Sequence, residues 1–342
     1  MDFQVIWFAL WGILWAVYFM TDGFDLGIGI LYPFFGKNDM DKRVMINAIG
    51  PVWDGNEVWL VTAGGATFAA FPAAYALMFS YLYSALFIIL IALIFRGVAF
   101  EFRGKGDSLL WKKGWDISVF LGSLIPALFF GVAFGNIFQG LPMDETGYHG
   151  TFLGLLNPYG IQTGLLFVIM FMVHGALWLS IKTEGEVALR AGRLAIIFWV
   201  LLLLVAVVFL VHTAFATSLY GNFIRNTSWF IIPCLAVLSL LGMGGAILKK
   251  KYGPAFLMSC LFIVTVVMTG IVGLFPNLIP SSIDMHYSLT IFNASSGAYT
   301  LRIMTVVALI FVPVVIAYQI FVYRVFRHKV TAEDVAKSSD AY

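Results

Sequence analysis

The chain has 342 residues, is 61% hydrophobic and only 11% charged, and carries a formal net charge of +2. A soluble domain averages about 25% charged residues, so the composition excludes an ordinary soluble fold and calls for an all-α polytopic membrane protein. The near-neutral balance gives no case for nucleic acid as a partner.

A membrane-crossing helix needs about 20 mainly apolar residues. Windows of that kind occur at about nine places: near 4–33, 51–71, 75–95, 116–138, 161–181, 194–216, 229–248, 255–275 and 300–323. The first carries Asp2 where a signal peptide would have a basic region, and it runs apolar for longer than a signal-peptide core, so it is expected as a retained first span. Residues 1–330 read as one integral membrane domain and 331–342 as a short, loose polar tail. Cys234 and Cys260 fall on consecutive antiparallel helices near opposite faces of the membrane, which predicts two free thiols.

Lysine and arginine mark alternate loops. They cluster at Lys37, Lys42 and Arg43; at Arg96, Arg103, Lys105, Lys112 and Lys113; at Lys182, Arg190 and Arg193; at Lys249–Lys251; and at Arg324, Arg327 and Lys329. The intervening loops carry only Arg225. The positive-inside rule then puts the N-terminus outside and the C-terminus in the cytoplasm.

Four acids interrupt the first two spans: Asp22 and Asp25 in TDGFDLGIG (Thr21–Gly29), Asp54 and Glu57 in WDGNEVW (Trp53–Trp59). A charge at the bilayer centre costs about 2.5–3.5 kcal/mol on insertion scales, so such residues face a bundle interior or an aqueous cavity. Each pair is spaced i,i+3 and shares a helix face. The descending first helix puts Asp22 and Asp25 in the inner half, the rising second helix starts with Asp54 and Glu57, and Arg96 and Glu101 lie at the inner end of the third. Gly23 with Gly27, and Gly131 with Gly135, form GxxxG pairs suited to close helix approach.

Two readings of the acids stand side by side. Carboxyls at one depth can pass protons; alternatively they cap the second helix dipole, or pair structurally, as Asp25 with Arg96. Trp53 and Trp59 read as interface anchors or packing rather than redox relays. Of five histidines only His174 and His212 look intramembrane, and at different depths, which suits packing better than a bis-histidine heme. No CxxC, CxxCH or HExxH pattern occurs, so no heme or metal of its own is expected for this chain.

TDGFDLGIG, the stretch Asn47–Pro72, FRGVAFEFR (Phe95–Arg103) and GVAFGNIFQGLP (Gly131–Pro142) together resemble subunit II of bacterial cytochrome bd quinol oxidase. NPYG (Asn157–Gly160) and FPNLIPSS (Phe275–Ser282) carry the resemblance through the second half. The resemblance implies two four-helix bundles plus a peripheral helix, in the bacterial cytoplasmic membrane. It implies a partner, subunit I, holding two b-type hemes and heme d, which oxidises quinol and reduces dioxygen with cytoplasmic protons and without pumping. A small single-helix accessory subunit is a further expected partner, beside membrane lipid and the quinol pool. Asp25, Asp54, Trp53 and Arg96 match positions of a proton route; Glu57 stands where many members carry Gln, and Asp22, Glu101 and Trp59 are secondary candidates. The chain is short between its sixth and seventh helices, which puts in doubt any quinone site built from a longer loop there. A pure scaffold and a proton-coupled secondary transporter are the alternative functions.

Overall fold

In hydrocarbon every backbone N–H and C=O must find its partner within its own segment, so uninterrupted apolar runs become long helices. The computed structural model describes residues 2–337. It opens with α1 (Phe3–Phe35), capped by the Asp2 carboxylate, and the short polar α2 (Asp39–Asn47), capped by Asn38. There follow α3 (Trp53–Ala70), α4 (Pro72–Tyr81), α5 (Tyr83–Phe102) and α6 (Leu109–Gln139). The second half holds α7 (Phe152–Leu155), α8 (Pro158–Lys182), α9 (Gly185–Ala216), α10 (Tyr220–Arg225), α11 (Ile231–Leu248) and α12 (Tyr252–Leu274). The described chain closes with α13 (Ala298–Val325) and α14 (Ala332–Lys337).

Eight of these helices are long and apolar enough to cross a membrane. The remaining expected span falls on α3, whose 18 residues reach about 27 Å at 1.5 Å per residue but include both Asp54 and Glu57. The third expected span is corrected in its bounds. Pro72 starts a separate helix, α4, and the crossing helix runs from Tyr83 rather than from residue 75. The residue before a proline is pushed out of the helical region, and Phe71, at φ −134°, ψ 62°, separates α3 from α4. The shift of the third span to Tyr83 comes from a second break at Leu82, with φ −98° and ψ 16°.

α1, α3, α5 and α6 form one group of four, and α8, α9, α11 and α12 a second. α1 belongs to the seam, packing on α8 and α12 as well as on α3 and α6, while α13 attaches peripherally to α1 and α3. Small residues set the seam's spacing. A Cβ on Gly27 would lie 1.8 Å from the Phe171 carbonyl oxygen, and Gly175 of α8 sits against the same turn of α1. Close backbone approach of this kind is what drives helix association where lipid is as apolar as the side chains. Above the seam Phe19 meets Phe130, Phe134, Phe167 and Phe171 in edge and tilted contacts.

At the end opposite the lysine- and arginine-rich loops, two hairpins lie across the bundles. β1 (Met143–Asp144) pairs with β2 (Gly147–Tyr148), and β3 (Asn277–Ile279) with β4 (Leu289–Thr290). They are tied together where Leu141 N–H donates to the Pro280 carbonyl and Ser282 N–H to the Leu141 carbonyl.

At the basic end a second correction applies. The tail through Lys337 is docked rather than loose: Val335 is buried, Arg43 donates to its carbonyl at 3.2 Å, and Val330 N–H donates to the Lys182 carbonyl at 2.8 Å. The rest of the expected loose tail, 338–342, lies outside the described residues. An ion-pair network holds α2 to its neighbours. Arg103 donates to Asp116 and Asp39 at 2.6 and 2.8 Å, Lys42 to Asp116 at 2.7 Å, and Arg190 to Asp41 at 2.7 Å.

Candidate functional site

The acids of α1 sit one turn apart and turn to different neighbours. Asp22 and Asp25 are both fully buried. Arg96 of α5, equally buried, places a single nitrogen, Nη2, 2.6 Å from Asp22 Oδ1 and 2.6 Å from Glu57 Oε1. Glycine makes this possible from behind: α6 presses Gly122 against α5, where a Cβ would fall 2.8 Å from Arg96 Cβ and 2.7 Å from the Ala92 carbonyl oxygen. The guanidinium is thereby directed inward toward α1 and α3.

Asp25 takes a different partner. Asn56 of α3 donates to its Oδ2 at 2.7 Å, and the Tyr323 hydroxyl of α13 donates to Asn56 Oδ1 at 2.8 Å. Gln319, one turn before Tyr323, donates to the Gly55 carbonyl at 2.8 Å and accepts from Trp59 Nε1 at 3.0 Å. The peripheral helix is thus locked to α3 by two polar side chains spaced i,i+4. The expected Asp25–Arg96 pair does not form: the guanidinium turns Nη2 to Asp22 and Glu57, while Asp25 is held by Asn56.

Five buried polar atoms in this region have no protein partner: Asp22 Oδ2, Asp25 Oδ1, Arg96 Nε, Arg96 Nη1 and the Tyr18 hydroxyl. Leaving such a group unsatisfied costs about 1–3 kcal/mol. Donors and acceptors converging at one buried place suit internal water, which typically makes about three hydrogen bonds to such groups. The cluster therefore combines one cation, three carboxyl groups and the polar surface needed to connect them.

The other candidates lie around this centre rather than in it. Asp54 is exposed, and its Oδ1 accepts from the adjacent Gly55 N–H at 2.7 Å. Glu57, one turn further along α3, keeps a quarter of its side chain exposed, so the cluster reaches the molecular surface beside Asp54. Trp53 is half-buried, with its ring edge-on to Phe100 at 5.2 Å and against Gly97. Glu101 is exposed on α5, outside the cluster. Asn56, Gln319, Tyr323 and Tyr18 escaped the reading of the sequence. The signal for two of them was present: Gln319 and Tyr323 are polar, i,i+4, in an otherwise apolar span.

His174 is buried against Phe256, with Nδ1 2.6 Å from Ser259 Oγ and Nε2 2.9 Å from the Met20 carbonyl oxygen. Both ring nitrogens thus face protein atoms. His212 directs Nδ1 at Gln162 Oε1. Among the described residues no group of three or more His, Cys, Asp or Glu side chains is placed to hold a metal ion. Cys234 and Cys260 are free.

Fold and site together define a multi-pass helical membrane protein with a buried carboxyl–arginine centre opening onto one face. The chain belongs to the cytochrome bd terminal oxidase subunit II family, whose sequence pattern matches residues 3–326. It is 37% identical to the cytochrome bd-I ubiquinol oxidase subunit 2 of Escherichia coli strain K12, covering 99% of this chain and 98% of that one. It is 39% identical to the cytochrome bd ubiquinol oxidase subunit 2 of Bacillus subtilis, over 96% and 97% of the two chains. The fold matches a chain in the structure of bd oxidase from Geobacillus thermodenitrificans with a TM-score of 0.78 and 17% identity, over 95% of this chain and 99% of that one.

Proposed function

We propose that this chain is the proton-supplying subunit of a bd-type quinol oxidase of the bacterial cytoplasmic membrane, paired with a heme-bearing subunit I. The observation that carries the reading is the single buried arginine among three carboxyl groups, surrounded by polar atoms that lack protein partners. One Arg96 balances one carboxylate. Full ionisation of Asp22, Asp25 and Glu57 would leave excess negative charge in a low-dielectric interior, at a cost of several kcal/mol per ion. Neutrality is reached when the group holds two protons, and carboxyl groups in hydrogen-bonded reach of water can exchange them.

With the basic loops in the cytoplasm, protons enter from that side near Asp54 and Glu57, where the cluster reaches the surface, are held among Glu57, Asp22 and Asp25, and cross from there to subunit I. Arg96 sets the field of the route and holds Asp22 and Glu57 in line. Asn56 and Tyr323 orient Asp25. The hemes of subunit I would supply electron transfer and dioxygen reduction; this chain supplies position, charge balance and protons.

A second reading is favoured by the same ion pairs: they could serve assembly alone, as a scaffold. Asp25→Asn and Asp22→Asn, made in the complex with its partner, separate the two. Quinol-driven oxygen consumption should fall at least about a hundredfold, the low end of the range for general acid–base groups, while the heme spectrum stays intact. Loss of the hemes or of the complex supports the scaffold, and unchanged turnover in both variants rejects the proton route. The transporter alternative loses its ground with the full-length family match.

A further inference from the structure

An apolar crevice of about 530 Å³ runs between α1, α12 and α13. Val17, Met20, Phe24, Phe256, Ile316 and Ile320 form its walls. Its mouth, at the basic end of the chain, is lined by Arg324 and Arg327, and no carboxylate lines it anywhere. Arg324 lies in the last turn of α13 and Arg327 just beyond its end, and both line the crevice. Several other cations at this end are ion-paired, Lys42 and Arg103 with Asp116 and Arg190 with Asp41. Neither Arg324 nor Arg327 has an ion-pair partner among the described residues. An apolar slot with uncompensated positive charge at one end is complementary to an amphiphile with a negative head.

We propose that this crevice is a binding site for one anionic phospholipid, with an acyl chain between α12 and α13 and the phosphate on Arg324 and Arg327. Size favours a lipid chain over a partner helix. A helix is about 10 Å across and 5.4 Å per turn, so the crevice would hold little more than one turn of it. Charge favours an anionic over a zwitterionic head, since a basic pocket at the cytoplasmic ends of membrane helices selects net negative charge. The occupant would also have a structural consequence. Gln319 and Tyr323 line the same crevice, so a seated chain steadies the helix face that holds Asn56 and Gly55.

The test uses the complete complex, purified in detergent, stripped of lipid, and offered phosphatidylglycerol or phosphatidylcholine. Native mass spectrometry counts the bound lipid, and thermal unfolding reports its effect. Phosphatidylglycerol should bind and raise the unfolding temperature, and phosphatidylcholine should do neither. Arg324→Gln with Arg327→Gln should weaken phosphatidylglycerol binding about 30-fold, each cation contributing about 1 kcal/mol where 1.4 kcal/mol is tenfold. Arg324→Lys with Arg327→Lys should retain binding, which guards against a folding defect. Ile316→Trp should block the chain while both arginines remain. Equal binding of the two lipids, or an unaffected glutamine double variant, overturns the proposal. So does efficient cross-linking of an Ile320→Cys variant to the partner subunit, which would mean that protein covers the crevice.

Discussion

Replacing Arg96 by methionine is the sharpest probe of the buried centre. Arg96 is fully buried and serves Asp22 and Glu57 through one nitrogen, at 2.6 Å each. Methionine keeps much of the side-chain volume but leaves both acids without their cation. Breaking a buried pair by removing one partner costs about 3–5 kcal/mol. The relief available to a stranded carboxylate is to take up a proton. At about 1.4 kcal/mol per pH unit, from an ordinary carboxyl pKa near 4 to about pH 7, that comes to about 4 kcal/mol, which agrees with the first figure. Arg96→Met should therefore destabilise the complex by about 3–5 kcal/mol, whereas Asp22→Asn leaves Arg96 its pair with Glu57 and should cost less. The double variant should fall short of the sum by about 0.5–3 kcal/mol, the coupling expected of residues in contact. Unfolding midpoints of the purified complex, titrated with denaturing detergent, measure all three. Additivity within about 0.5 kcal/mol, or an Arg96→Met complex as stable as the parent, would refute the ion-paired centre.

Other outcomes follow from the rest of the chain. Gly27→Leu should destabilise the α1–α8 seam by at least about 1–3 kcal/mol, because its Cβ would meet the Phe171 backbone at 1.8 Å; Gly245→Ala, with nothing within 4 Å of the new atom, should be neutral or gain up to about 1 kcal/mol in the same titration. Val335→Asp should free the α14 segment, at a loss of about 1.5–3 kcal/mol of burial, and limited proteolysis will show cleavage near residue 331. At the opposite end, hydrogen bonds from Thr146, His149 and the Thr146 backbone hold the Asp144 carboxyl down to about 2. Its folded pKa is depressed, so its contribution to the hairpin is complete above the ordinary value of about 4 and is lost as pH falls through about 2. Hairpin order followed by NMR should show that acid transition, and Asp144→Asn should abolish it.

Much of the fold was legible because its signals are local and additive. Every apolar run that could cross a bilayer became helical, and Phe71 and Pro72 separated α3 from α4 for a reason the dipeptide itself contains, whereas the break at Leu82 that moved the third span to Tyr83 carries no such local signal. The glycine pairs of α1 and α6 also spoke through their spacing, since only close backbones use them. The candidate site was legible in membership more than in wiring. Asp22, Asp25, Glu57 and Arg96 meet, but Asp54 is exposed, and Asp22 rather than Asp25 takes the arginine. Asn56 stood inside the same motif and drew no notice because a neutral amide carries no insertion penalty comparable to a charge.

What the sequence determined by itself is where hydrocarbon is tolerable and where charge is costly. Those are per-residue transfer energies, and they accumulate along the chain without reference to any neighbour. What only the tertiary structure decided is which charge answers which. That depends on the rotation of α1 against α5, on Gly122 letting α6 press Arg96 inward, and on α13 arriving from some 260 residues away to place Tyr323 on Asn56. Pairing energy falls off over a few ångströms in a low-dielectric interior, so a turn of one helix separates the partner that is chosen from the one that is passed over.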